Sequence, residues 1–135
     1  MSSRRLASCC ICAVTGLVLQ TSLSAAPPVD FNRDIRPLLS KYCFQCHGFD
    51  GQARQADLRL DTAAGMAGEV ASGQRVVMPG QPGSSALFLR VTSRDAEIRM
   101  PPPEVSDRLS AKEVERLQRW IEQGAEWAEH WAFVP

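Results

Sequence analysis

The sequence predicts a small all-α domain in which short helices are joined by loops rich in proline and glycine. Three observations lead to this fold class. The chain of 135 residues has room for one domain. Apolar residues recur at helical spacing in its first and last structured segments. Most of its nine glycines and nine prolines lie between those segments, where they favour turns over continuous helices or strands.

Residues 1–26 have the features of a secretory signal peptide and are not counted as part of the domain. Arg4 and Arg5 precede an apolar run at 6–19, and small residues at 22–26 close the segment. The apolar run has 14 residues, whereas a helix needs about 20 to span a bilayer. We therefore expect cleavage of this leader, a periplasmic or secreted mature chain, and no stable membrane span.

The first predicted helix of the mature chain covers residues 30–43. Its apolar residues lie on one helical face: Phe31, Ile35, Leu38, Leu39 and Tyr42. Pro37 lacks a backbone donor and interrupts this pattern, so we expect it to delay the start of the helix or to kink it.

The middle of the chain predicts only short elements. Leu58 and Leu60 alternate in a brief extended segment, and a turn of helix with a packing role for Met66 follows. Residues 73–83 are predicted as a loop because they contain two Pro-Gly pairs. Residues 83–93 are predicted as a short helix with an apolar face: Leu87, Phe88 and Val91.

The clearest predicted helix lies within residues 109–125. Ser110 with Glu113 three residues later forms a capping box, and Gly124 provides a stop. Between them an apolar stripe consists of Val114, Leu117, Trp120 and Ile121.

Charge excludes one class of partner. Without the leader the chain has 13 basic and 15 acidic side chains, a net charge of −2. No basic stripe is present, so we expect no nucleic-acid binding.

The segment "KYCFQCHGFDG", residues 41–51, carries the chemistry of the chain. It contains Cys43 and Cys46, which are the two cysteines outside the leader, and His47. A thioredoxin-like redox pair is one interpretation, but that motif requires a strand before it and a helix after it. A structural zinc site is another, but zinc requires four ligands and the motif supplies three.

Covalent attachment of haem c is the interpretation that the motif favours. Two thiols separated by two residues can reach the two vinyl groups on one edge of a porphyrin, and the adjacent imidazole can then ligate the iron. Export agrees with this interpretation, since attachment takes place outside the cytoplasm. The sequence therefore predicts one covalent haem c held by Cys43 and Cys46, with His47 as an axial ligand.

Four residues are candidates for the second axial position. Met100 lies in "EIRMPPPE", where three prolines stiffen an extended loop that can present a thioether to iron. Met78, beside a Pro-Gly pair, is the second candidate, and His130 is the third. Met66 is assigned to packing, which is the ordinary role of a buried methionine. The sequence predicts Met100.

The predicted core is small for a mature chain with this much loop. It consists of Phe31, Ile35, Leu38, Leu39, Tyr42, Leu58, Leu60, Leu87, Phe88, Val91, Leu117, Trp120 and Ile121. Small domains usually need a cross-link or a metal in addition to such a core. We therefore expect the haem-free chain to be largely unfolded.

Several segments, taken in order, resemble one family, the planctomycete-type cytochrome c domain. They are "DFNRDIRPLLSKYCFQCHG", "ADLRLDT", "MPGQPGSSALFLRV", "RMPP" and "LSAKEVERLQRWIEQGAEW". The resemblance runs from residue 30 to 131. It implies a small mono-haem domain with a class I-like cytochrome c fold, in which Cys43 and Cys46 attach haem while His47 and Met100 ligate iron.

The resemblance also implies a domain organisation. Residues 27–126 are expected to form the cytochrome domain, and residues 127–135 an aromatic tail that acts as a linker to a downstream domain. Trp127 in this tail is expected to be exposed, to fold back onto the body, or to complete the wall of the haem pocket.

Three functions remain open from the sequence. The first is an electron carrier without enzymatic activity of its own, whose partner is a redox protein or a fused downstream domain. The second is a haem enzyme or sensor with a labile distal ligand. The third is a haem-free thiol-disulfide module. Met100 in its proline loop favours the first, because both axial positions of the iron would then be filled.

Overall fold

The computed structural model describes residues 27–129, and both the predicted leader and His130 lie outside this range. Within it the regular structure is helical, as predicted, and the extended backbone contributes only an isolated bridge between Glu69 and Arg75. The elements are a π-helical turn at Phe31–Ile35, α1 at Arg36–Tyr42, α2 at Phe44–His47, α3 at Ala63–Ala67, a 3₁₀ turn at Pro82–Ser84, α4 at Ala86–Thr92 and α5 at Ala111–Glu122.

The first helix begins with a wide turn that accommodates Pro37. Asp30 caps it, because its side chain accepts a hydrogen bond of 2.7 Å from the backbone N–H of Arg33. The N–H of Arg36 then bonds the carbonyl of Phe31, five residues earlier. Pro37 lies in the first turn of α1, where a helix does not require its missing N–H. The prediction that Pro37 delays the α-helical part is confirmed.

The first helix and α5 pack side by side and run in opposite directions. Phe31, at the start of the first helix, lies with its ring centre 5.7 Å from that of Trp120, near the end of α5. At the other end the Tyr42 hydroxyl donates to the Glu113 carboxylate at 3.2 Å. This pairing buries the α5 residues Leu117, Trp120 and Ile121.

The capping box predicted for α5 is confirmed, and it also connects α5 to the first helix. Ser110 accepts from the N–H of Glu113, and the Glu113 carboxylate accepts from the N–H of Ser110 at 2.7 Å. Burial raises the pKa of Glu113, but the bonds from Ser110 and Tyr42 and the charge of Lys41 outweigh it, so the net pKa is lowered. The carboxylate is therefore ionised at neutral pH and fixes the start of α5.

The described part of the C-terminal tail folds back onto the first helix. The Trp127 ring centre lies 4.3 Å from that of Phe31, and the Arg36 guanidinium donates to the carbonyl of Ala128 at 2.8 Å. Trp120 donates from its indole nitrogen to the carbonyl of Glu126 at 2.9 Å. Trp127 was expected to be exposed, to fold back onto the body, or to complete the wall of the haem pocket. In the structure it folds back onto the body.

The core largely follows the predicted set, with informative differences. Tyr42, Leu58 and Phe88 are only partly buried. The buried core also includes residues absent from the predicted set: Met66, Val76, Val77 and Ala86. The burial of Met66 in α3 confirms its packing role. Val76 and Val77 belong to the predicted loop, and their burial follows from the bonds that Val76 makes with Gly68 and Leu87.

Helix α3 is held close to the preceding segment, which gives a test of the fold. A Cβ at Gly65 would lie 1.6 Å from the carbonyl oxygen of Arg59. Gly65→Ala is therefore expected to lower the free energy of unfolding by about 2 kcal/mol or more, although alanine normally stabilises a helix relative to glycine. Denaturant unfolding of the haem-loaded protein measures this effect.

Gly83→Ala is the matched control for that substitution. A Cβ at Gly83 would meet no atom within 4 Å. Its effect is expected to stay within about 0.5 kcal/mol, as for other surface changes. Equal effects of the two substitutions would contradict the close approach of Gly65 to Arg59.

Candidate functional site

An apolar cleft lies between the end of α2, the segments that follow it, and α4. Its space, including the part open to solvent, is about 680 Å³. The lining residues are His47, Ala56, Leu58, Leu60, Val70, Ala71, Val76, Ala86, Leu87, Arg90 and Met100. The wall is thus apolar except for an imidazole, a thioether and one guanidinium.

His47 lies at the end of α2 with its ring held in one tautomer. Its Nδ1 is 3.2 Å from the carbonyl oxygen of Gln55. Because a carbonyl can only accept, Nδ1 must carry the hydrogen, which leaves the lone pair on Nε2. Burial lowers the pKa of His47; the bond to Gln55 acts in the opposite direction, and the charge of Arg90 lowers the pKa further. A neutral imidazole with a free Nε2 is the form that binds a metal.

The segment after the motif folds back and fixes the position of His47. The N–H of Gln55 donates to the carbonyl of Cys46 at 2.7 Å, and that of Leu60 donates to the carbonyl of His47 at 2.8 Å. Gly48 makes this return possible, because a Cβ there would lie 2.3 Å from the carbonyl oxygen of Phe44. Gln55 could not be identified from the sequence, since it acts through its backbone.

Cys43 and Cys46 lie about one helical turn apart. Cys43 occupies the break between α1 and α2, and its carbonyl accepts from the N–H of both Cys46 and His47. Both thiols are free and partly buried. Burial raises the pKa of the Cys43 thiol to about 12, with a further contribution from Cys46. Cys43 therefore remains a neutral thiol at physiological pH, unlike the low-pKa cysteines of thiol-disulfide enzymes.

The loop that carries Met100 is attached to α4 by Arg90. The N–H of Met100 donates to the carbonyl of Arg90 at 3.1 Å, and Arg90 Nη1 donates to the carbonyl of Ile98 at 3.3 Å. Pro101 is buried, and the Met100–Pro101 peptide is cis. The structure thus brings Met100 to the same cleft as His47.

Of the other candidate ligands, Met66 and Met78 do not line the cleft. Met78 is partly buried, and its N–H donates to Ser85 Oγ at 2.9 Å. Met66 is 5% exposed and belongs to the hydrophobic core. His130 lies outside the described residues.

The residues of the cleft fit a haem. An apolar cleft accommodates the faces of a porphyrin, and an imidazole and a thioether are a known pair of axial ligands. In the described part of the chain, no three side chains of His, Cys, Asp or Glu converge as they would around a metal ion bound by protein alone. Within residues 27–129, no helix is long and apolar enough to cross a membrane.

Comparison with known proteins identifies one family. Residues 43–104 match the family model described as "Planctomycete cytochrome C". This range is shorter than residues 30–131, over which the sequence motifs resemble the family, but it contains both cysteines, His47 and Met100. No curated protein and no solved structure matches the chain. The match at 43–104 supports the resemblance of this chain to a planctomycete-type cytochrome c domain.

Proposed function

We propose that this chain is an exported mono-haem c-type cytochrome domain that transfers electrons through a His/Met-ligated iron. The observation that carries the proposal is that His47 and Met100 line the same apolar cleft. The family match to a cytochrome c supports haem-based electron transfer as the general activity.

Each residue of the site has a role in this proposal. Cys43 and Cys46 hold the haem covalently, His47 offers Nε2 to the iron, and Met100 offers its sulfur. The haem supplies a one-electron couple whose potential depends on axial ligands, burial and nearby charge. The protein contributes a dry apolar wall, a fixed tautomer of His47 through Gln55, and a tethered Met100 loop.

The antiparallel pairing of the first helix with α5 supports a class I-like cytochrome c fold as part of the proposal. The domain is taken as residues 27–126, with residues 127–135 leading toward a downstream domain. The electron-transfer partner of the cytochrome domain is then a separate redox protein or that downstream domain. Export through the segment 1–26 brings the chain to the compartment in which haem c is attached.

Intact mass of the secreted protein tests the proposal. The protein is produced in a host able to attach haem c and weighed after purification, and a pyridine haemochrome assay is run on the same sample. We expect one haem per chain and a chain that starts near residue 27. A polypeptide mass without haem would overturn the proposal and favour the thiol-disulfide alternative. Rapid carbon monoxide binding by the reduced wild-type protein would instead favour the haem enzyme or sensor alternative.

A further inference from the structure

The Arg54 guanidinium closes the loop that follows His47. Its Nε donates to the carbonyl of Gly48 and its Nη2 to the carbonyl of Phe49, each at 3.2 Å. Its Nη1 lies 3.3 Å from Asp57 Oδ1. One planar group thus joins the first residues of the loop, directly after the imidazole, to the residues at the end of the loop.

The same loop carries the carbonyl that holds the His47 ring. The carbonyl oxygen of Gln55 is 3.2 Å from His47 Nδ1, and it also accepts from the N–H of Leu58 at 3.2 Å. The N–H of Gln55 in turn donates to the carbonyl of Cys46 at 2.7 Å. The bond to the imidazole therefore forms only while the loop stays folded against the end of α2.

The backbone of this loop adopts a conformation that its residues do not favour by themselves. Ala56 has a φ of 54° and Asp57 a φ of 49°, both in the left-handed region. This region is disfavoured for residues that have a Cβ, although aspartate tolerates it better than alanine does. Interactions beyond the turn must therefore compensate, and the bonds of Arg54 are among them.

The carbonyl bonds of Arg54 should contribute more than its ion pair. The Asp57 side chain is 95% exposed, so water screens its attraction to the guanidinium. The Arg54 side chain is only 21% exposed, and Gly48 is buried. Hydrogen bonds from a charged donor are among the stronger ones in proteins. The closure of the loop therefore depends mainly on the carbonyls of Gly48 and Phe49.

We propose that Arg54 is a positioning residue for His47: by closing the loop it holds the Gln55 carbonyl against Nδ1 and so fixes the imidazole as a metal ligand. This inference rests on the proposed function. The planar fork of an arginine can reach three acceptors at once, whereas a lysine has a single nitrogen. The neighbouring Arg59 differs, because its two bonds of 2.7 Å both go to Asp61.

A held imidazole has a consequence for the iron. A carbonyl that accepts the Nδ1 proton makes the ring a stronger electron donor, and a stronger donor stabilises the oxidised iron more than the reduced iron. Loosening the loop should therefore raise the midpoint potential. Loss of the Arg54 charge would act in the opposite direction, because a cation disfavours the more positive, oxidised iron. Arg54→Lys separates the two effects, since it keeps the charge and loses the fork.

Nuclear magnetic resonance and redox titration of the haem-loaded protein test the inference. In reduced Arg54→Gln we expect solvent exchange of the His47 Nδ1 proton to be at least about tenfold faster than in wild type, because hydrogen bonds from a charged donor are lost. Arg54→Lys should show most of this increase together with a higher midpoint potential. Asp57→Asn should change the exchange rate less than about threefold, because its ion pair is exposed.

Ser110→Ala and Arg94→Gln are the matched controls. The first removes the cap of α5 and lowers stability without touching this loop, and the second removes an exposed charge. Both should keep the wild-type potential. If Arg54→Lys resembles Ser110→Ala, with lower thermal stability and an unchanged potential, or resembles wild type in every respect, the inference is overturned and the proposed function stands. Absence of haem from the wild-type protein would overturn the proposed function itself.

A measurement on the wild-type protein covers the case in which the Arg54 variants do not fold. Arginine is labelled with ¹⁵N, and solvent exchange of the Nε protons of Arg54 and Arg94 is compared in the haem-loaded protein. The Arg54 Nε–H donates to the Gly48 carbonyl, so it should exchange at least about tenfold more slowly than that of the exposed Arg94. Equal exchange rates would contradict the closure of the loop by Arg54.

Discussion

Replacing Met100 with alanine is expected to lower the midpoint potential by on the order of 0.1 V or more, within the roughly 0.8 V that axial ligands span. A thioether ligand raises the potential, and Met100 is the methionine that lines the cleft with His47. The variant should also bind carbon monoxide rapidly when reduced, because the distal position would be open. Redox titration and stopped-flow absorption measure the two effects.

Met78→Ala is the control, because Met78 was the second candidate from the sequence. Met78 is partly buried and does not line the cleft. We expect its potential and carbon monoxide binding to match those of wild type. If Met100→Ala keeps the wild-type spectrum and potential while Met78→Ala changes both, Met78 is the distal ligand.

Local sequence patterns predicted the helices because the interactions that form them are local. The capping box of Ser110 and Glu113 lies within one turn, and the apolar stripe of α5 is periodic. The delay of the α-helix by Pro37 was predicted correctly for the same reason, since the effect of a proline is confined to its own turn. The described structure also shows that Met66 is a packing residue, as its small-residue surroundings suggested.

The parts that could not be predicted depend on contacts between distant segments. Val76 is buried because the loop at 73–83 bonds Gly68 and Leu87, and no periodic pattern marks that loop. Gln55 supports His47 through a backbone carbonyl, for which every residue type is equivalent. The site residues were predicted from a short motif and a proline-rich loop, and their ligation of haem stays a prediction.

The burial of Arg99 illustrates a similar limit. Of the eleven arginines in the described residues, Arg99 alone is buried. Only the structure distinguishes Arg99, whose buried Nη1 has no hydrogen-bond partner among residues 27–129, from Arg59, which is paired with Asp61. The burial of a charged side chain and the identity of its partner are thus information that composition does not contain.

Removal of the haem is expected to abolish cooperative unfolding of the mature chain. The wall residues Leu58 and Val70 remain partly exposed at the cleft, and full burial of such a side chain contributes roughly 1.5–3 kcal/mol. Covalent tethering and two axial bonds add further stabilisation. Because a domain of this size is stable by only about 5–15 kcal/mol, loss of these contributions together should leave a largely unfolded chain.

The double substitution Cys43→Ala and Cys46→Ala provides the haem-free chain, and calorimetry with circular dichroism follows its unfolding. Both positions are partly buried. Alanine has no polar side-chain atom, so the substitutions introduce no buried polar group. The wild-type chain produced in a host without haem attachment is the control, since it keeps both thiols. The two haem-free samples should behave alike if the cofactor accounts for the loss. A cooperative transition in either sample close to that of the haem-loaded protein would instead mean that the helical core formed around Phe31 and Trp120 is stable by itself, and that the haem adds function without determining the fold.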